Sequence, residues 1–205
     1  MSQKIKDFTE QEISECLAQV EGRPIENFYP PELLEGSARP AAVLIPLLRK
    51  NNAWNLLFTV RTDTLAEHSG QVAFPGGRTE SGDSTPEETA KREAFEEISL
   101  DPQHVHILGK LFKLITITNY LVTPVVGVIP WPYEFMLALD EVRKVFIIPL
   151  EWLADPSNHE IHYRNIPPYQ RPLPVVYFER YENELLWGVS AQITLNFLKT
   201  LGVIS

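Results

Sequence analysis

Apolar positions near the start of the chain recur at helical spacing. Ile13, Cys16, Leu17 and Val20 fall at i, i+3, i+4 and i+7 between acidic residues, which predicts an amphipathic helix over residues 8–21. The pattern then breaks, and Pro24, Pro30, Pro31 and Pro40 predict an irregular connector from Arg23 to Pro40. Ala41 to Leu48 and Leu56 to Val60 are almost uninterrupted apolar runs and read as strands. Lys50-Asn51-Asn52-Ala53 between them has the polar composition of a hairpin loop. Val72-Ala73-Phe74 is a short strand halted by Pro75-Gly76-Gly77. A helix follows over residues 86–98, with Thr85 as its N-cap, Pro86 at the first helical position and Glu88 completing a capping box. Segments 105–112, 122–129 and 143–149 are rich in Val, Ile and Phe and predict strands. A final helix over residues 190–201 carries Ile193, Leu195, Phe197, Leu198 and Leu201 and is expected to pack on the sheet. Strands mixed with three helices, without repeats or low-complexity tracts, indicate an α/β sandwich rather than a doubly wound parallel sheet.

Composition narrows this picture. A chain of 205 residues can bury a full core, and the reading divides it into an N-terminal helix and connector (1–38) packed on one domain (39–205). The formal charge of −9 argues against a broad surface for nucleic acid, although metals could still bring a small phosphorylated substrate to an acidic site. A single cysteine, Cys16, excludes an intrachain disulfide framework and a multi-cysteine zinc site. No apolar run is long enough to span a bilayer, the first residues lack the core of a signal peptide, and Gly202–Ser205 is not a peroxisomal address. A soluble cytoplasmic enzyme is the expectation.

The chemistry concentrates in one helix. Glu93, Glu96 and Glu97 lie within five residues, and like charges at this spacing repel. At 3.6 residues per turn, Glu93 and Glu97 are about 40° apart and Glu96 about 60° from Glu93, so all three can address one site. A hard divalent cation bound through carboxylate oxygens would offset the repulsion. A solvated acidic face is the plainer alternative, but it requires neither the adjacent glycines upstream, nor Arg92 beside Glu93, nor Ile98 after Glu97.

The run from Gly77 to Leu100, with Arg92-Glu93 and Glu96-Glu97 in place, resembles the box of the Nudix hydrolases. Ser84 stands where that box usually has a glutamate, and Ser99 where it usually has a glycine. Leu56 to Arg61, Leu65, His68 and Gly70 to Gly77 resemble the coenzyme A pyrophosphatase branch, whose longer box carries an aspartate where this chain has Asp83. Ala66 departs from that branch, which usually has arginine there. Further similarity falls at Val122 to Gly127, Glu141-Val142, Val145-Phe146, Pro149-Leu150 and Trp187 to Ala191.

The resemblance implies a Nudix α/β/α sandwich with a mixed sheet. It also implies hydrolysis of the diphosphate of coenzyme A or its thioesters, with Mg²⁺ or Mn²⁺ held by Glu93 and Glu97 and the shell completed by Glu96. Glu141 or Glu96 would be the general base, and Arg92 would orient a carboxylate. Arg61 and Arg78 would hold phosphates, with His68, Gln71, Gly76 and Gly77 lining the substrate. The same chemistry on ADP-ribose or NADH is the alternative. A non-catalytic nucleotide-binding domain is a third reading, disfavoured because all three glutamates are present. Partners are then a small-molecule substrate and at most a second copy of the chain, with no nucleic acid and no membrane.

Four other features complete the reading. His104, His106, His159 and His162 lack metal spacing, and Ser190 lacks a nucleophile elbow. Trp187 reads as a core anchor. Tyr163, Tyr169, Pro167, Pro168, Pro172 and Pro174 suggest a structured loop before the last strands.

Overall fold

A long central strand shares one of its edges between two antiparallel partners, and that division positions everything else. The computed structural model describes residues 5–20, 22, 38–62, 70–165 and 172–204. Strand β1 (Arg39–Lys50) turns into β2 (Ala53–Arg61) through Asn51 and Asn52, at φ 52° and 60°. Two left-handed residues make the hairpin turn whose twist matches the strands, and asparagine tolerates that conformation. The two strands pair from Leu47↔Leu56 to Lys50↔Ala53 and then part. The fork is filled by β3 (Val72–Ala73), which pairs with Thr59 and Val60, and β4 (Gly76–Arg78), which pairs with Ala41–Val43. Between these ladders the Leu44 N–H donates to the Pro75 carbonyl at 2.8 Å. Pro40, expected in the connector, is the second residue of β1.

On its other edge β1 pairs in parallel with β7 (Tyr120–Val128), from Arg39↔Tyr120 to Leu47↔Val128. Strands β5 (His106–Lys110) and β6 (Leu114–Ile115) continue antiparallel from β7, and β8 (Val142–Pro149) is antiparallel to β2. The sheet is mixed, as expected.

Successive strand residues face opposite sides, so the nearly continuous apolar runs supply two cores. On one side Ala42, Leu44, Leu48, Leu57 and Val125 meet Ala90, Ala94 and Ile98 of α2 (Pro86–Ile98). On the other, Ile45, Leu47, Leu56 and Phe58 share a core with Ile13 and Leu17 of α1 (Glu10–Ala18) and with Ile193, Phe197 and Leu198 of α4 (Gly188–Thr200). The result is an α/β/α sandwich. Helix α1 is fixed by the Ser14 hydroxyl donating to the Leu108 carbonyl at 2.8 Å. Among the described residues no helix is long and apolar enough to cross a membrane.

Three local expectations change. Helix α1 is shorter than the apolar spacing suggested, because Thr9 and Glu12 form a complete capping box that starts it at Glu10. At α2 the box is only half formed. Thr85 accepts the Glu88 N–H at 3.2 Å, but the Glu88 carboxylate takes the Ser84 N–H at 2.6 Å, which the turn at Asp83 presents to it. After the short α3 (Leu150–Leu153), Tyr163 and Pro174 are register partners in a two-stranded ribbon, β9 (His159–Arg164) and β10 (Leu173–Phe178), rather than parts of a loop. Tyr169, Pro167 and Pro168 lie outside the described residues.

Candidate active site

Strand β4 opens with two glycines because the glutamate helix on one side and β1 on the other leave no room for side chains. A Cβ on Gly77 would stand 2.5 Å from a Glu93 carboxylate oxygen, and one on Gly76 would stand 2.5 Å from the Ala42 carbonyl oxygen. These distances are below any real contact. The Gly76 N–H donates to the Glu97 carboxylate. The glycine turn is thus the floor on which Glu93 and Glu97 rest, and β1 holds the floor in place.

Arg92 is the hub that orders the acidic groups. Its Nη2 donates to Asp83 at 3.0 Å and to the Arg78 carbonyl at 2.9 Å, while Nη1 reaches Glu96 at 2.9 Å and Glu93 at 3.0 Å. Asp83 also accepts the Glu80 N–H at 2.9 Å and the Thr89 hydroxyl at 3.0 Å. The Arg92 guanidinium, with these two donors helping, holds the Asp83 carboxyl down to about 2. The aspartate that stood out in the sequence is therefore the anchor of Arg92.

Glu97 is the most enclosed of the three glutamates, with 4% of its surface exposed. Burial pushes its carboxyl up to about 8; Arg61 and the Gly76 N–H act against this, and the charges of Glu93 and Glu141 reinforce it. Burial also raises Glu93, against the pull of Arg92. Glu96 is largely in solvent, with 56% of its side chain exposed. Glu141 enters from the loop before β8. Ala138 N–H donates to the Glu97 backbone carbonyl at 3.0 Å, and Thr62 N–H donates to the Glu141 carbonyl at 2.9 Å. The loop is thereby tied to both α2 and the end of β2.

Arg61, Glu93, Glu97 and Glu141 share one electrostatic neighbourhood, with Gly76 and Gly77 beneath it. Gln71 supports it through its carbonyl, which accepts the Arg61 N–H at 3.0 Å. Arg78 sends its side chain elsewhere, over the Tyr120 ring at 5.4 Å. His68, with Leu65 and Ala66, lies outside the described residues. Trp187 is half-buried rather than a core anchor; it is the N-cap residue of α4 and stacks on Tyr177 at 5.5 Å. Arg39 shares the Tyr120 ring with Arg78.

Comparison with known proteins agrees with this arrangement. The NUDIX domain family model matches residues 38–169. The chain belongs to the Nudix family. It is 41% identical over 165 residues to the Nudix hydrolase NudL of Photorhabdus laumondii, covering 80% of this chain and 86% of that one. It is 38% identical over 168 residues to NudL of Yersinia pestis, covering 80% and 81%. Among solved structures, a MutT/nudix family protein from Enterococcus faecalis aligns at a TM-score of 0.51 and 11% identity, over 92% of this chain and 69% of that one; it bears on the fold alone. The protein is thus a Nudix diphosphatase acting on a small molecule.

Nudix enzymes use a divalent metal, and the donors present fit one. Among the described residues no three acidic or imidazole side chains are gathered tightly enough to cage an ion outright. The fit lies in the chemistry of the donors. Glu97 Oε2 is buried without a hydrogen-bond partner, Glu93 stands beside it, and both offer the hard oxygens that Mg²⁺ and Mn²⁺ select.

Proposed function

We propose that this Nudix enzyme cleaves the diphosphate of coenzyme A and its thioesters. The products are 3′,5′-ADP and 4′-phosphopantetheine or its acylated form. Glu93 and Glu97, with Glu96 completing the set, would hold Mg²⁺ or Mn²⁺. The observation that supports this substrate is the role of the residues that carry the branch resemblance. Gly76 and Gly77 form the floor beneath Glu93 and Glu97, and Asp83 anchors Arg92.

A bound divalent ion supplies charge neutralisation on the diphosphate and acidifies its water. The chain's own residues do the rest. Arg92 fixes Glu93 and Glu96 and so sets where the carboxylates point. Arg61 adds positive charge beside Glu97, where a phosphate oxygen would lie. His68, Gln71, Gly76, Gly77 and Arg78 complete the substrate contacts in this reading. Glu141 is the general base, because among the described residues its carboxylate receives no hydrogen bond, whereas that of Glu96 is engaged by Arg92. In this reading residues 1–38 are a helix and connector packed on a domain spanning 39–205, and the enzyme works in the cytoplasm.

The test is kinetic. Glu141→Gln should lower kcat by about 100-fold or more with metal affinity retained, and Glu96→Gln should affect metal affinity more than kcat. If Glu141→Gln does not lose kcat ahead of metal affinity, the base assignment fails. A higher kcat/KM for ADP-ribose or NADH than for coenzyme A would overturn the substrate.

A further inference from the structure

Strand β9 pairs with β10 on one edge, and among the described residues its other edge is open. The hydrogen bonds around the ribbon show which backbone groups face that edge. The Glu179 N–H donates toward β9, to the Asn158 carbonyl at 2.8 Å, whereas the Phe178 N–H donates away from it, to the Leu186 carbonyl at 2.9 Å. These directions alternate along an antiparallel ladder, and the register runs from His159↔Phe178 to Arg164↔Leu173. Glu160, His162 and Arg164 therefore turn their amide groups toward β10, while His159, Ile161 and Tyr163 turn theirs outward. Pro174, which has no N–H, accordingly stands opposite Tyr163, where no hydrogen bond joins the two strands. Ile161 and Tyr163 also leave large apolar side chains in solvent, 55% and 73% exposed.

Charges on an open edge normally keep other chains away. In β9 they are opposed about the midpoint of the strand itself. With His162 as centre, Glu160 lies two residues before and Arg164 two residues after, and Ile161 and Tyr163 flank it. An antiparallel second copy with both His162 residues on the two-fold axis sets Ile161 opposite the partner's Tyr163. Both have outward amides, so each such pair exchanges two hydrogen bonds. Glu160 falls opposite the partner's Arg164 at a non-hydrogen-bonded position, where side chains approach most closely. A slip of one residue sets outward amides against inward ones, and a slip of two separates Glu160 from Arg164. One register satisfies both backbone and charge.

We propose that β9 is the seam at which two copies of this chain join, edge to edge, into a four-stranded ribbon ordered β10, β9, β9, β10. The contact is isologous, as a two-fold axis requires. Ile161 and Tyr163 of both copies cover one another on one face. The other face carries the Glu160–Arg164 pairs, and there the Arg164 guanidinium is already steadied over the Tyr177 and Trp187 rings, at 5.5 and 5.8 Å. So short a seam is at the low end of specific interfaces, and its dissociation constant is on the order of 10 μM. The proposal is independent of the substrate.

Sedimentation velocity of the full chain from about 1 to about 500 μM tests it, and should show a reversible monomer–dimer equilibrium. Glu160→Arg and Arg164→Glu each set like charges across the seam and should each weaken the dimer about tenfold or more. The double variant should recover it. Mixed together, the two single variants should pair with each other, because each supplies the charge that the other lacks. Ile161→Pro removes an outward N–H, leaves the bonds to β10 intact, and should make the chain monomeric; thermal melts check that each variant folds. A wild type that stays monomeric at about 500 μM, a dimer indifferent to either charge reversal, or single variants that do not pair on mixing would each overturn the seam.

Discussion

Glu97 shows most clearly how this molecule sets function against stability. A buried carboxylate oxygen without a partner, facing the charges of Glu93 and Glu141, is destabilising unless something positive arrives. Glu97→Gln keeps the shape and removes the ionisable carboxyl that a metal ion needs. The metal-free variant should melt at or above the wild-type temperature, while kcat falls by about 100-fold or more. A clear drop in Tm would instead make Glu97 a structural residue. The sequence showed the three glutamates because a helix repeats every 3.6 residues and places them on one side. It could only nominate Glu141, because that residue reaches Glu97 through the Ala138 and Thr62 hydrogen bonds, which belong to the tertiary fold.

At the scale of elements, helix ends were legible where their chemistry is local and obscure where it is not. Thr85 and Pro86 announced the start of α2, yet the Glu88 carboxylate was drawn off to Ser84 by the turn before it. Strand β4 was hidden because two of its three residues are glycines and show no alternation. Ser99, which stands where the family box usually has a glycine, takes the glycine role itself: at φ 54° and ψ 35° it closes the helix through its N–H to the Phe95 and Ala94 carbonyls. A side chain in that conformation is strained. Ser99→Gly should therefore raise the unfolding free energy by about 0.5–1 kcal/mol, less the added freedom of the unfolded chain. Urea denaturation measures it, and a loss of stability would show that the serine side chain contributes more than its backbone costs.

For the whole molecule, the Asp83–Arg92 pair ties folding to pH. An aspartate ordinarily titrates near 3.8 and this one near 2, so the unfolded chain binds its proton more readily. The stabilisation is complete above about pH 4 and fades as pH falls toward 2. The penalty for Asp83→Asn in urea unfolding should accordingly be larger at about pH 7 than at about pH 3; equal penalties would remove the pair from the stability of the fold. The fork in the sheet has a further consequence. Loops that carry substrate contacts usually open long before the interior does, but here the glycine turn is hydrogen-bonded into the central strand from Ala41 to Leu44. The part of the turn paired with that strand opens only when the strand lets go. The floor of the active site thus keeps the slow clock of the core, and whatever motion admits substrate has to come from somewhere else.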